Sequence, residues 1–170
     1  MHFRILLGAL LLILGAAAYA NSYLGVTAGS VDYTDAELNK PTGFEIKLGN
    51  RFNDYVALEL SYVDFGEAED DIEPEWEVST DAVALSALAM LPIGDQFEVN
   101  VRVGGHHWDT QVREDGLGQI DNLTGTDLHY GVGMAFRPNK QIQFGLHYTR
   151  YQLKQNDIEY PNASFNYYFP

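Results

Sequence analysis

The histidines of this sequence are the side chains best suited to metal binding or proton transfer. His129 and His147 occupy alternating positions in two segments joined by residues 138–140, and Asp127 lies two residues before His129. If the segments pair as neighbouring strands, the two imidazoles become opposite or diagonal partners on one face. This histidine pair, with the Asp127 carboxylate beside it, could hold a metal ion or titrate near neutral pH. The alternative is polar filling of an interior, and the identity of any metal stays open.

Nucleophilic catalysis requires a serine beside a histidine that an acid orients. Ser61 and Ser86 lie in segments that are separated from the histidine pair in the predicted strand order. His106 and His107 are adjacent in sequence, so they point to opposite faces of a strand and cannot chelate one ion together without a bulge. The sequence therefore predicts that the protein is not an enzyme and needs no cofactor.

One segment is strongly acidic. Eight acids and no base lie between Gly66 and Asp81: Glu67, Glu69, Asp70, Asp71, Glu73, Glu75, Glu77 and Asp81. Carboxylate oxygens are the ligands that hard divalent cations prefer, although the spacing of an EF-hand is absent. The other interpretation is a solvated loop that its own repulsion keeps extended. Both remain open, as does a contact between this loop and a surface ligand.

The elements that carry these residues follow a signal for export. An apolar run from Ile5 to Ala18 comes after Arg4 and ends at the sequence Ala-Tyr-Ala of residues 18–20. A basic start, an apolar centre and a small-x-small end are typical of a secretory signal peptide. The run is shorter than the ~20 residues that a spanning helix needs. We expect residues 1–20 to be cleaved after Ala20, leaving 21–170 as one domain.

From residue 21 onward, apolar and polar residues alternate with a period of two. Hydrophobic residues make up 46% of the sequence, yet mean hydropathy is −0.19, so apolar residues are interleaved with polar ones. The alternation predicts eight strands, near 21–30, 42–52, 55–65, 79–91, 96–108, 125–137, 140–151 and 162–169. Short connections at 53–54, 92–95 and 138–140 alternate with long ones at 31–41, 66–78, 109–124 and 152–161. The predicted fold class is all-β: an eight-stranded antiparallel up-and-down transmembrane β-barrel.

The two faces of these strands differ in chemistry. A soluble barrel would direct its apolar face inward, but here the other face mixes small residues with both signs of charge, as a narrow barrel interior does. The predicted interior contains four acids and four bases, which we expect to form a charge network that plugs the lumen: Glu45, Lys47, Arg51, Glu59, Glu98, Arg102, Asp127 and Arg137. An ion pore is the alternative interpretation.

Two segments near the C-terminus carry a family resemblance. Residues 129–151, which run HYGVGMAFRPNKQIQFGLHYTRY, resemble the penultimate hairpin of small OmpA-like (OmpX/Ail-type) outer-membrane barrels. In the last strand Ala163, Phe165, Tyr167 and Phe169 alternate as in the signal that the barrel-assembly machinery reads in that family, except that Pro170 follows the final aromatic. The resemblance implies a protein of the cell outer membrane, exported through the periplasm and surrounded by lipid and lipopolysaccharide.

These observations lead to one functional hypothesis and two alternatives. The sequence favours a structural or interaction barrel with acidic extracellular loops and a plugged lumen. A minor ion channel is the runner-up, and a lipid A-modifying barrel enzyme is less favoured. The partners we expect are membrane lipid and lipopolysaccharide, the barrel-assembly machinery, and a divalent cation or surface ligand at the loops. Nucleic acid is not expected, and the barrel is expected to be a monomer.

Overall fold

A computed structural model describes residues 21–34, 39–69, 76–114, 118–154 and 157–170. The predicted signal peptide lies outside these ranges. Nine β-strands are present: β1 (Ser22–Ser30), β2 (Asp32–Tyr33), β3 (Thr42–Arg51), β4 (Val56–Glu69), β5 (Trp76–Ile93), β6 (Phe97–Glu114), β7 (Gly118–Phe136), β8 (Ile142–Tyr151) and β9 (Ile158–Tyr168). Among the described residues, no helix has the length and hydropathy needed to cross a membrane.

The strands close into a barrel. Each of β3 to β9 pairs antiparallel with its neighbour in sequence, and β1 pairs with both β3 and β9. The two-residue β2 continues along β9 after the break at Val31, so β1 and β2 together count as one strand of the wall. The barrel is therefore eight-stranded and antiparallel, which confirms the predicted fold class.

Short turns join the strands at one end, which we call the turn end, and the opposite end is the loop end. Two of these turns share one motif. The side-chain oxygen of Asn53 accepts hydrogen bonds from the main-chain amides two and three residues later, those of Tyr55 and Val56, at 2.7 and 2.9 Å. Asn139 does the same for the amides of Gln141 and Ile142. Asparagine is common in turns because its side chain makes such bonds.

The prediction that apolar side chains face outward is confirmed. Ile46, Leu85 and Leu146 are 59%, 58% and 61% exposed, whereas Glu45 and Arg102 are buried in the interior at 2% and 4%. A soluble protein could not leave a continuous aliphatic band around its circumference in water. The outer surface therefore fits a hydrocarbon environment.

The strands at the loop end are longer than predicted. β5, β6 and β7 contain 18, 18 and 19 residues. The predicted long loop over 109–124 is wrong, because all but residues 115–117, which lie outside the described ranges, belong to β6 or β7. Likewise β9 begins at Ile158 rather than near 162. The polar residues that suggested loops instead cover the outer face of strands that extend beyond the aliphatic band.

A hydrophobic cluster fills the interior of the loop end. Its buried members are Val31, Tyr33, Val63, Phe65, Ala68, Ala82, Trp108, Tyr151, Ile158 and Tyr160. On the outside of the same strands, Asp64 is exposed, and Asp81 and Asp109 are half-buried. Polarity is thus reversed relative to the turn half, as expected where the surroundings change from hydrocarbon to water. The alternation alone did not predict this reversal.

Candidate functional site

Charged side chains are bound together in the middle of the lumen. The guanidinium of Arg102 donates to Glu45, with Nη1 3.3 Å from Oε1, and to Glu59 through Nη2. Lys47 Nζ lies 3.7 Å from Glu59 Oε1, and Tyr23 Oη donates to the same oxygen at 2.6 Å. β1, β3, β4 and β6 therefore contribute to one network. Its charged members are at most 4% exposed.

A second group of charges closes the turn end. Arg51 Nη1 donates to Glu98 Oε2 at 2.9 Å, and Arg137 Nη2 lies 3.8 Å from the same oxygen. Gln143 Nε2 donates to the other oxygen of Glu98 at 2.9 Å. The guanidinium carbon of Arg137 lies 4.4 Å from the ring centre of Tyr168, a cation–π distance. The carboxylate of Glu98 on β6 thus joins side chains from β3, from β8 and from the residue that follows β7.

Asp127 does not take part in these ion pairs. Its Oδ2 instead accepts the indole N–H of Trp108 at 2.8 Å. The expected match of four acids with four bases is therefore wrong: the paired set contains three acids and four bases. The physical reason is the position of Asp127 along the barrel axis. It lies above the ionic network, at the level of the hydrophobic cluster, where the indole of Trp108 is its neighbour.

The predicted histidine pair is also corrected. β7 and β8 pair with His129 opposite Tyr151 and with His147 opposite Gly133. The two imidazoles are therefore four residues apart in register and are neither opposite nor diagonal. Phe136 pairs with Phe144, so the β7–β8 hairpin is centred on residue 140, one residue after the centre of the predicted turn at 138–140. His147 Nε2 lies 3.1 Å from Ser164 Oγ on β9.

One serine–histidine contact was missed by the sequence reasoning. Ser86 Oγ lies 2.7 Å from His129 Nε2 although β6 separates their strands. The contact is possible because Gly104 on β6 has no side chain: a Cβ there would be 2.5 Å from His129 Cε1. Within the described ranges no acid binds the other nitrogen of His129, and both residues are at most 1% exposed. The orienting acid of a hydrolase triad is therefore lacking.

Aromatic rings form a layer above the ionic network. The ring centres of Phe65 and Tyr151 are 5.0 Å apart in an edge-on arrangement, and those of Phe65 and Tyr160 are 6.1 Å apart. Tyr160 Oη donates to the carbonyl of Gly43 at 3.0 Å, although β1 separates their strands. Edge-on aromatic pairs of this kind stabilise a core beyond their buried area. Buried ion pairs and buried aromatic rings thus occupy the lumen at successive heights.

The acidic segment is only partly described. Asp70, Asp71, Glu73 and Glu75 lie outside the described residues. Glu67 lies on β4, and Glu69 and Glu77 are direct cross-strand partners of β4 and β5. No group of three or more His, Cys, Asp or Glu side chains in the described ranges is arranged to hold a metal ion.

A row of acids that the sequence reasoning missed lies on the outer wall. Asp64 is the direct partner of Asp81, and Asp81 is the direct partner of Asp109, so three aspartates cross β4, β5 and β6 side by side. Like charges directly opposite one another destabilise a sheet. The row marks where the wall leaves the aliphatic band, one step above Tyr62 and Val83.

Nearly the whole sequence matches one protein family. Residues 5–169 match the family described as outer membrane protein beta-barrel domain. The chain belongs to this family. It is therefore an outer-membrane protein, and the aliphatic band is its lipid-facing surface. In such barrels the short turns face the periplasm and the longer loops face outward, so the loop end is the external end.

Solved structures share the fold at low sequence identity. Ail, the attachment invasion locus protein of Yersinia pestis, is 18% identical with a TM-score of 0.61, over 87% of this chain and 96% of that one. The N-terminal barrel of Pseudomonas aeruginosa OprF is 17% identical with a TM-score of 0.61, over 87% and 98%. Neisserial surface protein A is 17% identical with a TM-score of 0.59, over 88% and 98%.

A further structure similar to this chain is Ail in complex with the heparin analogue sucrose octasulfate, at 18% identity and a TM-score of 0.60, over 87% and 96%. No curated protein matches the sequence significantly. At these identities the solved structures establish the fold alone.

Proposed function

We propose that this outer-membrane barrel is a non-conducting interaction protein that displays an acidic platform outside the cell and binds positively charged surface ligands. The observation that carries the proposal is that buried ion pairs and buried aromatic rings occupy the lumen at two successive heights. Because buried ion pairs occupy the middle of the lumen and buried rings occupy its external half, we expect the interior to carry no continuous aqueous path. An eight-stranded barrel is just wide enough for side chains to fill. Function then depends on the external surface.

The external surface contains a sheet that rises above the rest of the wall. β8 meets β7 only from the level of His129 and Tyr151, so Gly118–Asp127 of β7 pairs with β6 alone among the described residues. The outer edge of this segment presents main-chain amides and carbonyls to a partner. Exposed edges of this kind are templates for pairing with another chain. They are suited to contact with an extended peptide.

Charge determines which partner is favoured. The formal net charge is −14, and the ion pairs of the lumen are nearly balanced, so the excess lies outside them. Asp64, Asp81 and Asp109 lie on the outer wall, and Asp109 is the direct partner of Thr124 in the segment of β7 that rises above it. Such a field attracts cationic ligands and repels polyanions. We therefore infer that this chain does not share the ability of Ail to bind a heparin analogue, and that a basic peptide or a bridging divalent cation is preferred.

The expected export and assembly steps complete the proposal. We infer that residues 1–20 are removed after Ala20, and that residues 21–170 fold in the outer membrane as a monomer surrounded by lipid and lipopolysaccharide. The alternating aromatics of β9 support recognition by the barrel-assembly machinery. Phe169 follows that strand, and its amide donates to the carbonyl of Ser22 at 2.9 Å. The C-terminal segment that carries the aromatic pattern therefore also closes the barrel against β1.

Two measurements test the proposed function. Purified protein in planar bilayers should give no reproducible current steps, and barrels in lipid nanodiscs should bind polylysine but not sucrose octasulfate. Binding should weaken as salt rises, because exposed charges are screened. Steady ion conduction by the folded barrel would favour the channel alternative, and preferential binding of sucrose octasulfate would contradict the proposed ligand class.

A matched pair of variants separates the platform from net charge. Asp81→Asn with Asp109→Asn removes two acids from the external wall. Asp54→Asn with Asp95→Asn removes two exposed acids from the turn end. The first variant should bind polylysine several-fold more weakly, and the second should bind like the unmodified protein. Equal loss in both would assign the attraction to total charge and reject the platform.

A further inference from the structure

Three fully buried rings meet in the lumen where the ionic network ends and the hydrophobic cluster begins. His106, His129 and Tyr151 are 1%, 0% and 0% exposed. Their ring centres are separated by 5.6 Å between the two histidines, 5.2 Å between His106 and Tyr151, and 5.1 Å between His129 and Tyr151. They come from β6, β7 and β8. Each ring thus contacts the other two.

Each residue of this ring cluster has a polar atom without a partner among the described residues. Nδ1 of His129 and Oη of Tyr151 are buried and make no hydrogen bond to any described residue, whereas the ring of His106 is hydrogen-bonded to the main chain of Gln152 and keeps one ring nitrogen without a partner. Most buried polar side-chain atoms in proteins have a partner, because leaving one without is unfavourable. Three such atoms, one on each of three mutually contacting residues, are a ready donor set for a ligand.

The remaining nitrogen of His129 supports this interpretation. Its Nε2 lies 2.7 Å from Ser86 Oγ, so it can donate its proton to the serine and leave Nδ1 as a free electron pair. Metal-binding histidines almost always donate their second ring N–H to another group, which fixes the tautomer and the ring orientation. Ser86 therefore acts as a positioning residue for His129.

We propose that His106, His129 and Tyr151 bind a single divalent transition-metal ion of the Zn²⁺ class. Imidazole suits zinc, copper and nickel, and a metal–nitrogen distance of ~2.0 Å places the ion about 3 Å from the centre of each imidazole ring. Two rings that share an ion would then have centres up to about 6 Å apart. The 5.6 Å between the histidine rings meets this requirement.

The surrounding charges are compatible with a cation at this place. Below it, Glu45 and Glu59 offset Arg102 and Lys47 through the ion pairs. Beside it, Asp127 is the direct cross-strand partner of His106 and brings a carboxylate to the same level. The acidic external rim also raises the local concentration of cations at the mouth. Because the ring cluster is fully buried, the ion is expected to enter during folding.

Two other histidines provide matched controls. His107 is exposed on the outer wall, where its Nδ1 lies 3.0 Å from Thr126 Oγ1. His147 faces the lumen, but its Nε2 contacts Ser164. Neither belongs to the ring cluster. Tyr160 is the control for Tyr151, since it is equally buried and its hydroxyl is bonded to a main-chain carbonyl.

The test is metal uptake during refolding. Protein from outer membranes is unfolded in urea with a chelator and refolded in detergent with Co²⁺ or Zn²⁺. Bound metal is measured by elemental analysis and by the ligand-field absorption of Co²⁺. We expect one ion per barrel. His106→Gln, His129→Gln and Tyr151→Phe should each weaken binding at least about tenfold. His107→Gln, His147→Gln and Tyr160→Phe should bind within about twofold of the unmodified protein.

Gel mobility before and after heating shows whether each variant has folded. Tyr151→Phe keeps the ring and its packing, so it tests the donor set even if the histidine variants fold poorly. Absence of bound metal in the folded, unmodified barrel would overturn the proposal. Binding that His107→Gln abolishes, or that Tyr151→Phe and both lumen histidine variants leave unchanged, would overturn it equally.

Discussion

The turn half of the barrel carries its charges inside and its aliphatic side chains outside, whereas the loop half reverses this arrangement. Arg102 and Glu59 are buried in the first half, and Phe65 and Tyr160 are buried in the second. The same strands pass through both halves, with register shifts between Asp64 and Glu67 on β4 and between Val112 and Arg113 on β6. The comparison indicates that the environment outside the wall determines which face is apolar. Where hydrocarbon surrounds the wall the polar side chains face the interior, and where water surrounds it the apolar side chains do.

The turn half should be the more sensitive to loss of one side chain. Arg102→Met leaves Glu45 buried without its only ion-pair partner in the described structure. An uncompensated buried charge costs about 3–5 kcal/mol, so the free energy of unfolding in urea should fall by that amount. Arg113→Met, at an exposed position of β6, is the control and should change it by less than about 0.5 kcal/mol. Equal effects would contradict an ionic core.

The lipid band can be distinguished from the external wall by a substitution to lysine. Val101 is 54% exposed within the band, so Val101→Lys should lower the free energy of unfolding in vesicles by about 2–4 kcal/mol. Asp109→Lys, on the same strand and face, should cost far less because water surrounds it and Asp81 lies opposite. A large cost at position 109 would show that the hydrocarbon boundary lies higher.

The aromatic layer depends on a hydrogen bond as well as on packing. Tyr160→Phe removes the donor to the buried carbonyl of Gly43, and we expect a loss of about 1–3 kcal/mol in metal-free buffer. Tyr151→Phe removes a hydroxyl that has no such partner in the described structure, so it should cost less than Tyr160→Phe. The reverse order in urea unfolding would refute this view of the layer.

The smallest expected effect is a gain. Asp81→Asn removes the charge at the centre of the row formed with Asp64 and Asp109. Relief of cross-strand repulsion should raise the free energy of unfolding by about 0.2–1 kcal/mol at low salt. The gain should shrink in high salt because exposed charges are then screened. Asp54→Asn on the turn end serves as the comparison and should give no gain.

The sequence predicted the strands well because period-two alternation persists in most of them, although residues 82–91 are apolar on both faces. Ile46 and Leu85 face outward and Glu45 faces inward, as the pattern required. It predicted the ends of the strands poorly at the loop end. Polar residues of β6 and β7 beyond Trp108 were interpreted as loop, since polarity in a sequence does not distinguish an exposed loop from a strand whose outer face meets water.

Contacts across the lumen could not be predicted, because they depend on register and on the size of intervening residues. The sequence placed His147 beside His129, but a shift of four residues separates them. It placed Ser86 far from His129 in strand order, yet the missing side chain of Gly104 lets the two meet. The pairing of buried charges such as Arg102 and Glu59 was easier to predict, because a buried charge without a counterion or hydrogen-bond partner is strongly unfavourable.

The pairing of β1 with β9 has a consequence for how the molecule forms. Val26 lies against Phe165, so the first and last strands of the wall meet across almost the entire sequence. Such non-local contacts slow folding, because the entropy of closing so large a loop is lost before the contact stabilises the product. Until β9 pairs with β1 and β8, the main-chain amides and carbonyls at the facing edges of these two strands have no strand partner. A chain truncated at residue 157 should therefore remain a curled, unsealed sheet that is prone to aggregation and proteolysis.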